Sequence, residues 1–549
     1  MNSKKIKAAV FSALAVAVVL FIGFFVCCTA INIQNPSLWI LSAIASFVGL
    51  AVYNLVKYAA NFSDFVIKNA VKKSGKHKYK AGWIYLIPAG IIVLTVILNI
   101  LSGTLFNAKE YAGILNVKQT DFKTDIAESV GTDSIALMDT SSAKMLGDRE
   151  IGSLSNVVSQ FNVSDDYSQI DFNGKPVKVS ALEYAGFFKW LNNRQNGVCG
   201  YVTVDPVSMS ATYKESAGLK YVPSAYFFEN AERKIWLKYP TAMFGNLHFE
   251  IDEQGNPYYI ASVYKKSIFL FGGKTVSGCI ILNPVTGEMQ KYAVADIPKW
   301  VDNVFDGNLL CEQYNWHGTL SGGYFNSIIA KKGCKRITEY YSYDNDEYTN
   351  DYGYVAKGGD IWIYTGVTSV NGDSSNIGFL LANERTGESH YFNVAGADEI
   401  SAMNAAEGEV QEKGYMASFP ALINVNDNPT YIMVLKDAGG LVKLYAAVNV
   451  EQYNLVTTAA TQTECLKNYK ALLNKNGQSA TAEETAETVK IADIKYIVTE
   501  GNTYIYLISA EGKIYKAKAA DNEELLLVKS GTTLQITSKN GIITSYKAK

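Results

Sequence analysis

The sequence predicts an α+β protein with three N-terminal transmembrane helices, a β-rich extracytoplasmic region of duplicated α+β units, and a small C-terminal OB-like β-barrel. Three observations carry that prediction. Three uncharged apolar runs crowd the N-terminus. Beyond them, short apolar stretches are broken repeatedly by Asn-Gly and Asp-Gly pairs, which favour the positive φ angles of tight hairpins. After Lys490, apolar and polar residues alternate at the strand period of two.

The apolar runs are Ala8 to Ala30, Leu38 to Val56 and Ala81 to Phe106. Each is at or near the about 20 residues that a helix needs to cross about 30 Å of hydrocarbon. Lysines set their direction. Lys4, Lys5 and Lys7 precede the first run; the link INIQNPS between the first two has no charge. The next link holds Lys57, Lys68, Lys72, Lys73, Lys76, Lys78 and Lys80 against Asp64 alone. Cationic short loops stay in the cytoplasm. The N-terminus and the lysine loop are therefore expected inside, and residues 107–549 outside, of the cell membrane. The first run is longer than the apolar core of a cleaved signal peptide. Phe25-Val26 before Cys27-Cys28 makes a poor lipobox, since a small residue normally precedes a lipidated cysteine. The remaining cysteines, Cys199, Cys279, Cys311, Cys334 and Cys465, are odd in number and widely spaced, which does not indicate a disulfide framework.

The outer portion divides by composition into 107–220, an α/β segment; 221–357 and 358–474, two β-rich units; 475–490, a polar linker; and 491–549, the barrel; residues 1–106 form the anchor. Turn pairs fall at Asn173-Gly174, Asn196-Gly197, Asp306-Gly307, Asn371-Gly372 and Asn540-Gly541. Ser134 to Asp139 reads as a buried strand leading into a helix around Ala143 to Leu154. Ser180-Ala-Leu-Glu183 matches a capping box, followed by Tyr184, Phe187, Phe188 and Leu191 at helical spacing. Thr461-Gln-Thr-Glu464 opens a second helix, with Leu466, Tyr469, Leu472 and Leu473 on its buried side. Two echoes suggest duplication. GNPYYI (Gly255 to Ile260) is answered by DNPTYI (Asp427 to Ile432), each followed by a Gly-Gly pair. NPVTGE (Asn283 to Glu288) is answered by NERTGE (Asn383 to Glu388), a hairpin turn in which Gly supplies positive φ. In the last segment, turns at Glu500-Gly501-Asn502 and Glu511-Gly512-Lys513 suit a five-stranded OB-type barrel.

The motifs carry little chemistry. LFGGKTVSG (Leu270 to Gly278) contains the tail of a phosphate-binding loop, G-x-x-x-x-G-K-[ST]. The first Gly position is Ile268, and an apolar strand follows where a helix is required, so Gly272-Gly273 is expected to be a hairpin turn. The four histidines, His77, His248, His317 and His390, are scattered, and no H-E-x-x-H, C-x-x-C or G-x-S-x-G occurs. His317 to Ser321 offers a base near a hydroxyl, expected to be an ordinary loop beside Trp316. Asp344-Asn-Asp346-Glu347-Tyr348 begins like a calcium loop but has Tyr and Thr349 where oxygen and Gly belong. Asp205, Glu250 and Asp252 are carboxylates on predicted strands, the residue type a glycosidase pairs. Tyr340, Tyr341, Tyr343, Tyr348, Tyr352 and Tyr354 form a cluster suited to sugar or protein contact if exposed and to sheet packing if not. With 50 basic against 52 acidic residues and no basic stripe, nucleic-acid binding is excluded as an expectation.

Leu146 to Leu154, Leu182 to Arg194, Tyr221 to Phe227, Phe249 to Tyr259, Phe271 to Gly278, Tyr364 to Val370 and Asn428 to Ala446 resemble a family of large membrane-anchored proteins of Gram-positive anaerobic bacteria, whose activity is unassigned. Cys199 in GVCGY stands where that pattern would have proline. The unit DEQGNPYY…LNPVTGE also resembles PepSY modules, which implies an extracytoplasmic α+β domain linked to protease inhibition and envelope regulation. No catalytic, cofactor or metal residues carry over. The expectation is a non-catalytic binding or scaffolding protein of the cell envelope. Its partners would be the lipid bilayer and an envelope protein or glycan. An envelope hydrolase and a PepSY-like protease regulator are the alternatives.

Overall fold

The computed structural model describes residues 3–69, 85–128, 135, 137–342, 347–350, 352–371, 375–476, 485–499, 502–539 and 541–548. Helix Ser3–Phe21 continues as a π-helical turn over Ile22–Val26, and with helix Pro36–Asn69 it provides two stretches long and apolar enough to cross a membrane, Lys5–Val26 and Pro36–Ala59. Leu86–Leu101 is apolar but shorter, and bends by 47° into Thr104–Ala112. The lysines from Lys72 to Lys80, on which the orientation rests, lie outside the described residues.

The chain forms two compact units: Met1–Gln119 with Asp133–Asp373 and Gly378–Tyr391, and Thr120–Thr132 with Ser374–Ile377 and Phe392–Lys549. One pattern recurs in both. An N-capped helix leads into a four-stranded antiparallel meander whose first strand is interrupted or bulged. In the first meander, Phe161–Val163 and Ser168–Phe172 both pair with Lys175–Tyr184, followed by Val198–Asp205 and Ser210–Leu219. In the second, Met243–Ile251 bulges between Phe244 and Leu247 before Pro257–Ile268, Gly272–Leu282 and Met289–Ala293. In the third, Lys335–Ile337 and Gly353–Lys357 share Asp360–Ser369, followed by Gly378–Asn383 and Ser389–Phe392. The fourth, in the second unit, places Met416–Ala417 and Ala421–Val425 on Asn428–Lys436, then Val442–Asn449 and Val456–Ala459.

The local chemistry repeats with the topology. The helices before the four meanders are Thr140–Gly152, Ala231–Lys238, Gly307–Leu320 and Glu399–Gly408, and a fifth, Gln462–Lys475, follows the last. Each is opened by a side chain that accepts an otherwise orphaned backbone N–H: Asp139, Asn230, Asp306, Asp398 and Thr461. The first turn is a two-residue turn with both residues at positive φ in three meanders, at Asn173-Gly174, Gly358-Gly359 and Asn426-Asp427. The last turn is always headed by an Asx side chain that accepts an N–H two or three residues on: Asp205, Asn283, Asn383 and Asn449. NPVTGE and NERTGE match bond for bond, with Thr286 and Thr386 hydroxyls each accepting from the following Glu N–H at 3.2 Å.

A single apolar core joins the first two meanders, with Val179, Leu182, Val202, Leu219, Ile235, Ala261 and Ile280 all fully buried or nearly so. The second unit ends in a closed barrel of Thr485–Thr499, Asn502–Ser509, Ile514–Lys518, Thr533–Lys539 and Ile542–Ala548. Its strands run in the order first, second, third, fifth, fourth, and the third and fifth are parallel.

Several local expectations change. The Ser180–Glu183 capping box lies inside the strand Lys175–Tyr184, and Ser180 Oγ donates to Ser164 O at 3.0 Å. Pairing on both edges of that strand overrides a local helix signal. The helix starts at Phe187 instead and buries Trp190, leaving Phe188 75% exposed and Leu191 46% exposed. Asp306-Gly307 is a helix start rather than a hairpin, because Asp306 accepts from both Asn308 and Leu309 N–H. Ile135, Leu137 and Met138 are buried but not in a strand. The barrel's first strand begins at Thr485, inside the stretch read as a linker; residues 477–484 lie outside the described ones. The boundary drawn at 357/358 falls in the first turn of the third meander.

Candidate functional site

Hydrogen bonds join the ends of the apolar helices to one face of the folded part of the first unit. The connection from Cys27 to Asn35 is held in shape by its own side chains. Asn32 Oδ1 accepts from Gln34 N at 2.9 Å, Asn35 Nδ2 donates to Ala30 O at 3.2 Å, and Trp39 Nε1 donates to Ile33 O at 2.9 Å. It is then bonded to the folded region above. Ile31 N donates to Pro240 O at 2.7 Å and Asn32 Nδ2 to Thr241 O at 3.1 Å. The Gln34 amide pairs with the Lys266 backbone in both directions, donating at 3.0 Å and accepting at 3.3 Å, as a neighbouring strand would. From the helix Ala231–Lys238, Arg233 Nε donates to Phe25 O at 2.6 Å and Trp236 Nε1 to Thr29 O at 2.9 Å.

LFGGKTVSG belongs to this face. Its turn joins the strands Pro257–Ile268 and Gly272–Leu282, so it is a hairpin and not a phosphate loop. Leu270 N and Phe271 N donate to Ser102 Oγ, at 3.4 and 3.1 Å, where the third apolar helix ends. Tyr111 OH donates to Ser102 O at 2.8 Å, and Phe271 meets Trp39 edge-on at 6.1 Å.

Between these contacts lies a cavity of about 620 Å³, lined by residues 26–30 and 35–37 and by Arg233, Lys266, Lys274, Glu232, Tyr264, Met243 and Phe244 among others. Lys266 and Lys274 face each other directly across the hairpin. The Lys274 ammonium sits 3.9 Å from the Tyr264 ring centroid. Burial, and then the Lys274 charge, lower the Lys266 pKa. Burial raises that of Glu232, whose Oε2 has no hydrogen-bond partner among the described residues. An aromatic surface continues outward from the cavity: Phe25 meets Phe228 at 5.2 Å, and Tyr226 meets Phe187 at 5.1 Å.

A second cleft, of about 650 Å³, is lined by Asp148, Asp165, Asp166 and Glu183, with Lys144 paired to Asp165. Among the described residues no group of His, Cys, Asp and Glu is placed to hold a metal ion.

The carboxylates singled out in the sequence do not converge on either space. Asp205 accepts from Val207 and Ser208 N–H in its turn. Asp252 accepts from Gln254 N, Asn256 N and Asn256 Nδ2. Glu250 is fully buried and accepts from Asp302 N at 2.9 Å, Asn303 N at 2.8 Å and Asn303 Nδ2 at 3.0 Å. His317 is on the helix Gly307–Leu320 with Nδ1 3.0 Å from Ala112 O, and the Ser321 hydroxyl donates to the His317 carbonyl rather than to its ring. Residues 343–346 of the calcium-like loop, and the side chains of Tyr340, Tyr341, Tyr343 and Tyr348, lie outside the described ones. Tyr352 and Tyr354 pack edge-to-face at 5.7 Å.

Sequence reading missed Lys178, which is 2% exposed with its ammonium 5.2 Å from the Tyr354 ring. Burial lowers its pKa to about 8. It also missed Arg233, Lys266 and Lys274 as a group. Alternation along Tyr264 to Lys266 and the Gly-Gly turn would have paired the two lysines, but nothing local brings Arg233 to them. In comparison with known proteins, no family model matches the chain and no curated protein matches it.

Proposed function

We propose that the chain is a multi-pass, membrane-anchored, extracytoplasmic binding or scaffolding protein of the cell envelope that performs no catalysis. The observation that carries this reading is the docking face. The end of the first apolar helix, the start of the second and the end of the third are bonded to one folded region, through Arg233 and Trp236, through Gln34, and through Ser102. Three antiparallel spans with their outer ends on one side would account for that, and the lysine distribution supports that side being the outer one. A rigidly seated outer region suits presentation of a binding surface. The hydrolase reading is less supported, since Asp205, Glu250 and Asp252 are each committed to backbone N–H groups.

The four repeated helix-and-meander units support descent by duplication, and the PepSY-like sequence of DEQGNPYY…LNPVTGE keeps protease regulation as the second reading. The barrel's strand order, with its third and fifth strands parallel, supports an OB-type assignment. It implies no nucleic-acid ligand, because fold does not fix function.

Topology is testable directly. Protease added to intact cells is expected to remove a C-terminal tag. A tag that becomes cleavable only on lysis would overturn the placement. With the full chain as bait, an envelope component is expected to co-purify while glycan and peptide substrates stay intact. Turnover abolished by one carboxylate substitution would replace this reading with the hydrolase.

A further inference from the structure

We propose that the cavity between the first two apolar helices and the second meander binds the phosphate of an anionic membrane lipid, through Lys266, Lys274 and Arg233. The inference rests on the membrane-anchored reading above, because it takes the helix ends as the headgroup level.

Four observations converge. First, the lining carries three cations against one carboxylate, Glu232. Second, Lys266 and Lys274 are a direct cross-strand pair. Like charges in that position repel, with Cβ atoms only about 5 Å apart. Neither lysine has an ion-pair partner within 4 Å among the described residues; the one carboxylate that acts on both, Glu312, is itself partly buried with its pKa raised by that burial, so the repulsion is only partly offset. An anion between them would supply the rest, and would also offset the burial that weakens the proton affinity of Lys266. Third, Arg233 is fixed at the rim. Its bonds to Phe25 O and Phe227 O, and its stacking 4.6 Å over the Phe25 ring, hold the guanidinium in place, with the neighbouring Glu232 acting on it at longer range than an ion pair. A planar cation held this way recognises phosphate well. Fourth, the walls include Val26, the last residue of one apolar helix, Cys27 to Ala30 of the connection, and Pro36, the first residue of the next helix.

The fourth observation selects the source of the phosphate. Below the cavity the first helix exposes Phe21, Ile22 and Val26, each about half accessible, as a surface for acyl chains. Met243 and Phe244 line the inner wall where glycerol carbons would lie. A free anion would gain nothing from these apolar walls. The excess of cations favours a lipid with net negative charge over a zwitterionic one.

The test is native mass spectrometry of the purified full chain from detergent micelles containing equal phosphatidylglycerol and phosphatidylcholine. The wild type is expected to retain phosphatidylglycerol with about tenfold preference, the scale expected when basic side chains contact an anionic headgroup. Lys266→Ala with Lys274→Ala should abolish the preference. Lys266→Arg with Lys274→Arg should keep it, and Lys265→Ala, on the neighbouring exposed position, should not change it. The backbone bonds of Lys266 to Gln34 survive all these changes, so the docking face is retained. The proposal fails if the double alanine variant keeps the preference, if the arginine variant loses it, or if millimolar inorganic phosphate displaces the lipid. That last result would assign the site to a soluble anion. The measurement does not depend on which way the chain faces, so it can fail while the tag-protection experiment succeeds, and the reverse.

Discussion

Replacing Glu250 with alanine is expected to destabilise the first unit by about 3–5 kcal/mol, the cost of stripping several buried N–H groups of their acceptor. Glu250 sits at the centre of a chain of contacts. Its carboxylate accepts the N–H groups of Asp302 and Asn303 and the Asn303 amide. Asn303 Nδ2 also donates to Gln169 O, at 3.0 Å. Asp302 in turn accepts from Asp171 N at 2.7 Å and Ile361 N at 3.3 Å. One side chain of the second meander thereby fixes the segment 302–303, and that segment ties to strands of the first and third. Alanine would leave two backbone N–H groups buried without partners, at about 1–3 kcal/mol each. A shift of that size in the urea midpoint, followed by tryptophan fluorescence of the full chain, is the expected readout. A change within error would mean that water enters and takes over the bonds.

The same site should make stability depend on pH. Burial outweighs the three donated bonds and raises the Glu250 pKa from 4.5 to about 7. Asp302 is raised by burial and then by the Glu250 charge. A folded-state pKa above the unfolded one means that the native chain holds the proton longer. The stabilisation is then fully present below the ordinary glutamate range and is lost as pH rises toward about 7, at up to about 1.4 kcal/mol per pH unit for each group. Unfolding midpoints should therefore fall between pH 5 and pH 7. Glu250→Gln, which keeps one acceptor oxygen and cannot ionise, should flatten that slope. An unchanged slope in the Gln variant would mean that other groups set it.

What the sequence reveals about this fold follows the range of the interactions. The apolar spans are legible because a membrane helix is specified by composition over one continuous run. The Asx-headed turns are legible for the same reason, since Asn283 and Asn383 bond within five residues of themselves. The echo between those turns points to repetition but reveals only two of the four units. In the first and fourth meanders the equivalent turns are DPVSMS and NVEQYNL, where an Asp or Asn does the same work in different surroundings. The Ser180 capping box failed because nothing local announces pairing on both edges of its strand. The Glu250 network and the cavity stayed hidden because they are assembled across sequence. Glu250 reaches Asn303 over 53 residues, and Arg233 reaches Phe25 over 208. Hydrophobic periodicity has no term for such distances.

Gly272→Val is expected to lift the Phe269–Phe271 turn off the anchor, raising amide hydrogen exchange over residues 268–273 by about 10- to 100-fold. A Cβ at Gly272 would lie 2.2 Å from Ser102 O, 2.6 Å from Tyr111 OH and 3.1 Å from Ile268 O. Two of these atoms are backbone carbonyls and cannot rotate away. Any side chain must therefore displace either the hairpin or the end of the helix Leu86–Leu101. Overpacking of a close contact costs about 1–3 kcal/mol, and each 1.4 kcal/mol is a tenfold change in an opening equilibrium. Displacement would also withdraw the Leu270 and Phe271 N–H groups from Ser102 Oγ and part Phe271 from Trp39. Ser102→Ala removes the acceptor without adding bulk and should produce a smaller change in the same peptides. The glycine that makes LFGGKT look like a phosphate loop is thus needed for close approach to another segment of the chain. If valine left exchange over both 268–273 and 102–111 at wild-type levels, the docking face would not be holding the hairpin, and the argument that one folded region seats all three helix ends would fall with it.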